Sequence, residues 1–113
     1  MPTNTPAPKK KQQTAQADRR ITVENVSVPG YTQRVDATMY EAMKQALLQV
    51  LPTEKPGLTL TEIRAAVIGH LPKNLYPGAA KSDWWSKLVQ LDLEAKGLVV
   101  RERAKPLRWH RAK

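Results

Sequence analysis

The chain has 113 residues, no cysteine and a formal net charge of +9. That length holds one domain with one modest core, and the missing cysteines exclude a disulfide framework, a thiolate metal site and a thiol nucleophile. No apolar run approaches the roughly 18 residues of a membrane span, and the first twenty residues lack the apolar stretch of a secretory signal, so a cytoplasmic protein without membrane partners is expected.

Residues 1–20 contain Pro2, Pro6, Pro8 and the triplet Lys9-Lys10-Lys11, with no large aliphatic side chain after Met1. Such a segment buries too little apolar surface to offset its ordering entropy, which predicts a disordered basic tail. Residues 21–35 alternate weakly through Ile21, Val23, Val26 and Val28 before Pro29-Gly30. They read as an extended arm with at most one short strand. Residues 36–113 carry the domain.

The first helix is capped by Asp36 or by Thr38, the latter with Glu41 in a capping box. Met39, Met43, Ala46, Leu47, Val50 and Leu51 recur at helical spacing, and Pro52 ends the run. Leu58-Thr59-Leu60 reads as a short strand that pairs with the C-terminal hairpin. Thr61 is the expected cap of a second helix, whose inner face holds Ile63, Ala66, Val67 and Leu71. Residues 72–80 form a loop in which Leu75 and Tyr76 plug the edge of the core. A third helix begins at Ser82 and stops at Gly97, the left-handed cap. Trp84, Leu88, Leu91 and Ala95 fall on one stripe, which places Trp84 in the core and leaves Trp85 half exposed. After the apolar Leu98-Val99-Val100, a basic hairpin follows, with Leu98, Val100, Leu107 and Trp109 inward and Arg101, Arg103, Arg108 and His110 outward by period-two alternation. The fold class is therefore α+β: a winged helix-turn-helix of three helices and a C-terminal β-hairpin wing.

Several segments carry a family resemblance. Val35-Asp36-Ala37 leads into Tyr40-Glu41-Ala42-Met43, the second helix holds Arg64-Ala65-Ala66-Val67, and Val89-Gln90-Leu91-Asp92-Leu93-Glu94-Ala95-Lys96-Gly97 runs on to Pro106-Leu107-Arg108-Trp109. From Val35 to Arg111 the chain resembles a small family of uncharacterised bacterial proteins with a winged-helix-like domain. The resemblance implies architecture and no activity, because the family has none assigned.

Charge placement points to a partner. Residues 1–20 hold five basic side chains against one acidic, and residues 98–113 hold six against one, while 21–97 hold eight of each. The whole excess therefore sits at the two ends. Concentrated cationic patches favour a polyanion, whose counterions are released on binding. The expected partner is double-stranded DNA. The third helix would offer Lys81, Ser82, Ser86, Lys87 and Gln90 to the major groove, and the wing would lay Arg101, Arg103, Lys105, Arg108 and Arg111 along the backbone. These residues do not separate DNA from RNA. A protein-interaction module, dimerising through Trp85 and the first helix, is the alternative. His70 and His110 lie in different elements, and no paired carboxylates, Ser/His/Asp set or glycine-rich phosphate loop is visible. No metal, no cofactor and no enzymatic activity are expected.

Overall fold

The computed structural model describes residues 19–112. Two paired strands, β1 (Arg20–Glu24) and β2 (Thr32–Asp36), form an antiparallel hairpin in which Ile21 faces Val35 and Val23 faces Gln33. Sequence suggested only an extended arm here. Val23 and Val35 are buried, so pairing both satisfies the backbone and supplies two side chains to the core. A disordered tail was expected over residues 1–20; residues 1–18 lie outside the described residues, and Arg20 belongs to β1.

Helix α1 (Ala37–Val50) starts where Asp36 Oδ1 accepts from the Thr38 and Met39 amides at 2.8 and 3.2 Å. Of the two expected caps, Asp36 is the one used. Its buried face is Ala37, Tyr40, Met43, Ala46 and Leu47. Helix α2 (Leu60–Ile68) is capped two residues earlier than expected, by Thr59 rather than Thr61. The Glu62 amide donates to Thr59 Oγ1 and the Thr59 amide to Glu62 Oε1, a reciprocal capping box. That amide holds the Glu62 carboxyl below its usual range, and Arg108 adds to the effect. Ile63 and Val67 are the buried residues of α2.

Helix α3 (Ser82–Ala95) closes in a Schellman motif. Leu98 N–H donates to Leu93 O, Gly97 N–H donates to Glu94 O, and Gly97 has φ 78°. A ribbon of β3 (Val99–Glu102) and β4 (Arg108–Arg111) follows, with Val100 opposite His110 and Arg101 opposite Trp109. Leu58 adds a single rung on the far side of β4, exchanging two backbone hydrogen bonds with Trp109 at 2.8 and 2.9 Å. The domain is thus a mixed α+β unit of three helices and two small antiparallel hairpins. No helix among the described residues is long and apolar enough to cross a membrane.

Two phenols sit inside this frame. Tyr40 donates to Asp92, and Tyr76 donates to the Met39 carbonyl at 2.8 Å, closing the core edge as expected. Both titrate well above the ordinary tyrosine value. Burial is the main cause in each, followed at Tyr40 by the hydrogen bond to Asp92 and at Tyr76 by the charge of Asp36. The unfolded chain releases these protons near about pH 10 and the folded chain only well above it. Stability is therefore full below pH 10 and falls above it, by up to about 1.4 kcal/mol per pH unit for each tyrosine. Urea midpoints should decline steeply from about pH 10 to 11, and Tyr40→Phe should flatten that decline. A midpoint flat across this range would contradict the assignment.

Candidate nucleic-acid interface

Helix α3 is turned relative to the sequence expectation. Its inner arc is Ser82, Trp85, Ser86, Val89, Gln90, Asp92 and Leu93. Trp85 is 7% exposed and Trp84 is 51% exposed, the reverse of what the Trp84-Leu88-Leu91-Ala95 stripe suggested. The two indoles meet edge to face at 5.1 Å. Neighbouring helical positions point about 100° apart, so only one can enter the core. Trp85 does so at the head of a Trp85-Val89-Leu93 row, with serines filling the space beside it.

This rotation removes three expected base-reading groups from the surface. Ser82, Ser86 and Gln90 are all buried. The Ser86 hydroxyl donates to the Asp83 carbonyl at 3.0 Å, inside its own helix. Gln90 Oε1 is buried without a partner among the described residues. Lys81 and Lys87 remain exposed, Lys81 at the helix start with φ 62°. The alternative dimer face also changes. Trp85 is a core residue, and α1 exposes no large apolar side chain.

The ribbon divides its cations into two groups. Strand β3 is out of the expected phase by one residue: Val99 is buried while Leu98 and Val100 are exposed. A one-residue slip exchanges the faces of a strand. Arg101 consequently shares the inner face with Val99. Its Nε and Nη2 donate to Glu94 Oε2 and Oε1 at 3.0 and 3.1 Å, and its guanidinium lies 5.5 Å from the centre of the Trp109 ring. Trp109 Nε1 donates to Glu94 Oε1 at 3.2 Å. Glu94, Arg101 and Trp109 thereby clamp the ribbon to the last turn of α3.

On the other face, Glu102 is buried. It accepts from the Gly57 amide at 2.8 Å and lies 2.6 Å from His110 Nδ1. Arg108 Nη1 donates to the Gly57 carbonyl at 2.9 Å and lies 3.6 Å from Glu62 Oε1. Arg111 is half buried; its amide donates to Pro52 O and its Nε is enclosed without a partner among the described residues. Arg101 and Arg108, expected to face outward, are therefore structural. Arg103 and Lys105 at the tip are exposed, and no carboxylate among the described residues pairs with either.

The carboxylates are where sequence reasoning missed most. The sequence alone assigns Asp92 and Glu94 in α3 and Glu102 in β3 no structural role. Asp92 is fully buried, held by Tyr40, by Lys96 Nζ at 2.8 Å and by the Glu24 amide at 2.8 Å. The i,i+4 spacing of Asp92 and Lys96 was a visible signal for the pair. Nothing local signalled the reach of Asp92 to the N-terminal hairpin. Among the described residues, no group of three histidine, aspartate or glutamate side chains converges to hold a metal.

No curated protein and no solved structure matches the chain. One family model matches residues 20–109, which takes in the β1–β2 hairpin, all three helices, β3 and the first half of β4. With the match running over most of its length, the chain belongs to DUF6958, a family of unknown function.

Proposed function

We propose that the chain is a winged-helix domain that binds double-stranded DNA through its ribbon tip and basic ends, as a small regulator or nucleoid-associated factor of the bacterial cytoplasm. The element order supports the fold assignment: α1, the Leu58 rung, α2, α3 and then a two-stranded ribbon. One observation carries the functional reading. The carboxylates of the last two turns of α3 and of the ribbon are consumed by internal partners, while Arg103 and Lys105 remain exposed at the tip. A phosphate approaching the tip meets cations and no competing surface acid from the ribbon itself.

With Ser82, Ser86 and Gln90 buried, α3 offers only Lys81 and Lys87 of the expected groove contacts. Binding is therefore mainly to the backbone, with modest sequence preference. Lys9, Lys10 and Lys11 add charge outside the described residues.

The test is fluorescence anisotropy on several duplexes across a salt series. Arg103→Ala with Lys105→Ala should weaken binding to all of them alike. The slope of log affinity against log salt should shrink by about 1.8, at about 0.9 for each phosphate that is no longer neutralised. Arg101→Ala should instead lower stability, since that side chain holds Glu94 and Trp109. If the tip pair can be removed at about 100 mM salt with affinity and slope unchanged, the ribbon is not the docking element.

A protein-interaction module is the second reading, favoured by the apolar row Trp84-Leu88-Leu91 on the outer arc of α3. In a groove-reading helix that arc would be polar.

A further inference from the structure

We infer that the outer arc of α3 and the tip of the β1–β2 hairpin form the contact face of a symmetric dimer, with a second copy of this chain as occupant. The inference gives a partner to the interaction reading; it assigns Lys87 to the dimer face and leaves DNA docking to the ribbon tip, Arg103 and Lys105. Leu88 and Leu91 form one wall of a cleft of about 160 Å³, and Val23, Val28 and Tyr31 form the opposite wall. Trp84 extends the helical wall by one turn, since positions 84, 88 and 91 share a face. Trp84, Val28 and Tyr31 are each about half exposed. Contiguous apolar surface of this kind on a small domain marks a contact site.

Charge selects the occupant. Glu24 lines the cleft on the hairpin side, and Lys81, Asp83 and Lys87 lie along the start of α3 near the apolar row, all exposed. This is a nearly neutral face on a chain of net charge +9. A polyanion is not attracted to it, and two copies can meet there without bringing excess positive charge together. Asp83 and Lys87 lie one turn apart along the same flank of the apolar row. Neither has an ion-pair partner among the described residues. A two-fold axis across the helix sets each flank against its own copy with direction reversed. Asp83 of one copy then meets Lys87 of the other, twice, while Trp84 packs on the opposing apolar row. With one tryptophan as the main anchor on each side, weak self-association is expected, with a dissociation constant on the order of micromolar.

Sedimentation velocity of the full chain without nucleic acid, from about 5 to 500 µM, tests this. The weight-average mass should rise from 12.7 kDa toward twice that value. Trp84→Ser should abolish the rise. Asp83→Lys and Lys87→Asp should each weaken association by about tenfold or more. The double exchange should restore it, an outcome that damage to the fold cannot mimic. A chain that stays monomeric at the highest concentration overturns the proposal. So does a Trp84→Ser variant that associates like the parent, or a double exchange that fails to rescue.

Discussion

Asp92→Ala should cost about 3–5 kcal/mol, the range for removing one partner of a buried ion pair. The carboxylate is fully buried in α3 and takes three donors from three elements: the Glu24 amide of β1, the Tyr40 hydroxyl of α1 and the Lys96 ammonium at the end of its own helix. That ammonium also lies 5.7 Å from the centre of the Tyr40 ring. Truncation to alanine leaves a buried hydroxyl and a strand amide without their acceptor, and hydrogen bonds to charged groups contribute about 1.5–3 kcal/mol each. Lys96 is partly exposed and can turn to water, so its share is small. For a domain this small the melting temperature should fall by roughly 12–24 °C for a 3 kcal/mol loss. Asp92→Asn should fall between, because one acceptor oxygen survives. Lys96→Met should cost about 1.5–3 kcal/mol, the range for a hydrogen bond to a charged group, because it leaves the buried Asp92 carboxylate without its countercharge. Urea unfolding followed by tryptophan fluorescence separates the three. If Asp92→Ala unfolds within about 1 kcal/mol of the parent, the cluster does not tie the hairpin and α1 to α3.

Where local chemistry decides a structure, the sequence was readable. Asp36 before an apolar periodic run, Pro52 after it and Gly97 at the end of α3 each act within one turn of chain, and each sits where expected. The pairing of Leu58 with the ribbon was anticipated, but the expected strand shrinks to that one residue, since Thr59 caps α2 and Leu60 begins it. The phase of α3 was not legible, because two adjacent tryptophans offer two stripes. Trp84-Leu88-Leu91-Ala95 is the more apolar on paper. The fold buries Trp85-Val89-Leu93 with two serines, and the N-terminal hairpin stands across a cleft from Leu88 and Leu91 of the other stripe. That hairpin was itself underread, since the connection from Asn25 to Tyr31 lacks the two-residue turn that announces paired strands.

The ribbon failed for a related reason. Its cations were sorted by alternation alone, and alternation gives a face only once one residue is fixed. The pairing of Arg101 with Glu94 spans the helix terminus and fixes that residue through tertiary contact. The candidate site shrinks accordingly, from ten named residues to the exposed Lys81, Lys87, Arg103 and Lys105. The arginines that left it became the means by which the ribbon is held.

Gly57→Ala should be as damaging to the ribbon as Asp92→Ala is to the hairpin. A Cβ at Gly57 would stand 1.9 Å from the Trp109 carbonyl oxygen, 2.3 Å from its carbon and 2.7 Å from Glu102 Oε2. The first two are backbone atoms of β4, so no side-chain rotation relieves the overlap. The connector must withdraw, and four hydrogen bonds go with it. These are the two Leu58–Trp109 backbone bonds, the Gly57 amide to Glu102, and Arg108 to the Gly57 carbonyl. At about 0.5–1.5 kcal/mol net for each bond, the loss is roughly 2–6 kcal/mol. Glu102 would then keep His110 but not the Gly57 amide. Gly69→Ala is the matched control. Gly69 has φ −70° at the end of α2 and nothing within 4 Å of its Cβ position. Alanine there should be neutral or stabilising by up to about 1 kcal/mol, through the entropy of the unfolded chain. Amide exchange at Leu58 and Trp109 gives the local readout. Both amides should lose protection in Gly57→Ala and keep it in Gly69→Ala. Equal stability and equal protection in the two variants would mean that the connector does not pass against β4, and that something other than the Gly57 contact holds the ribbon to the domain.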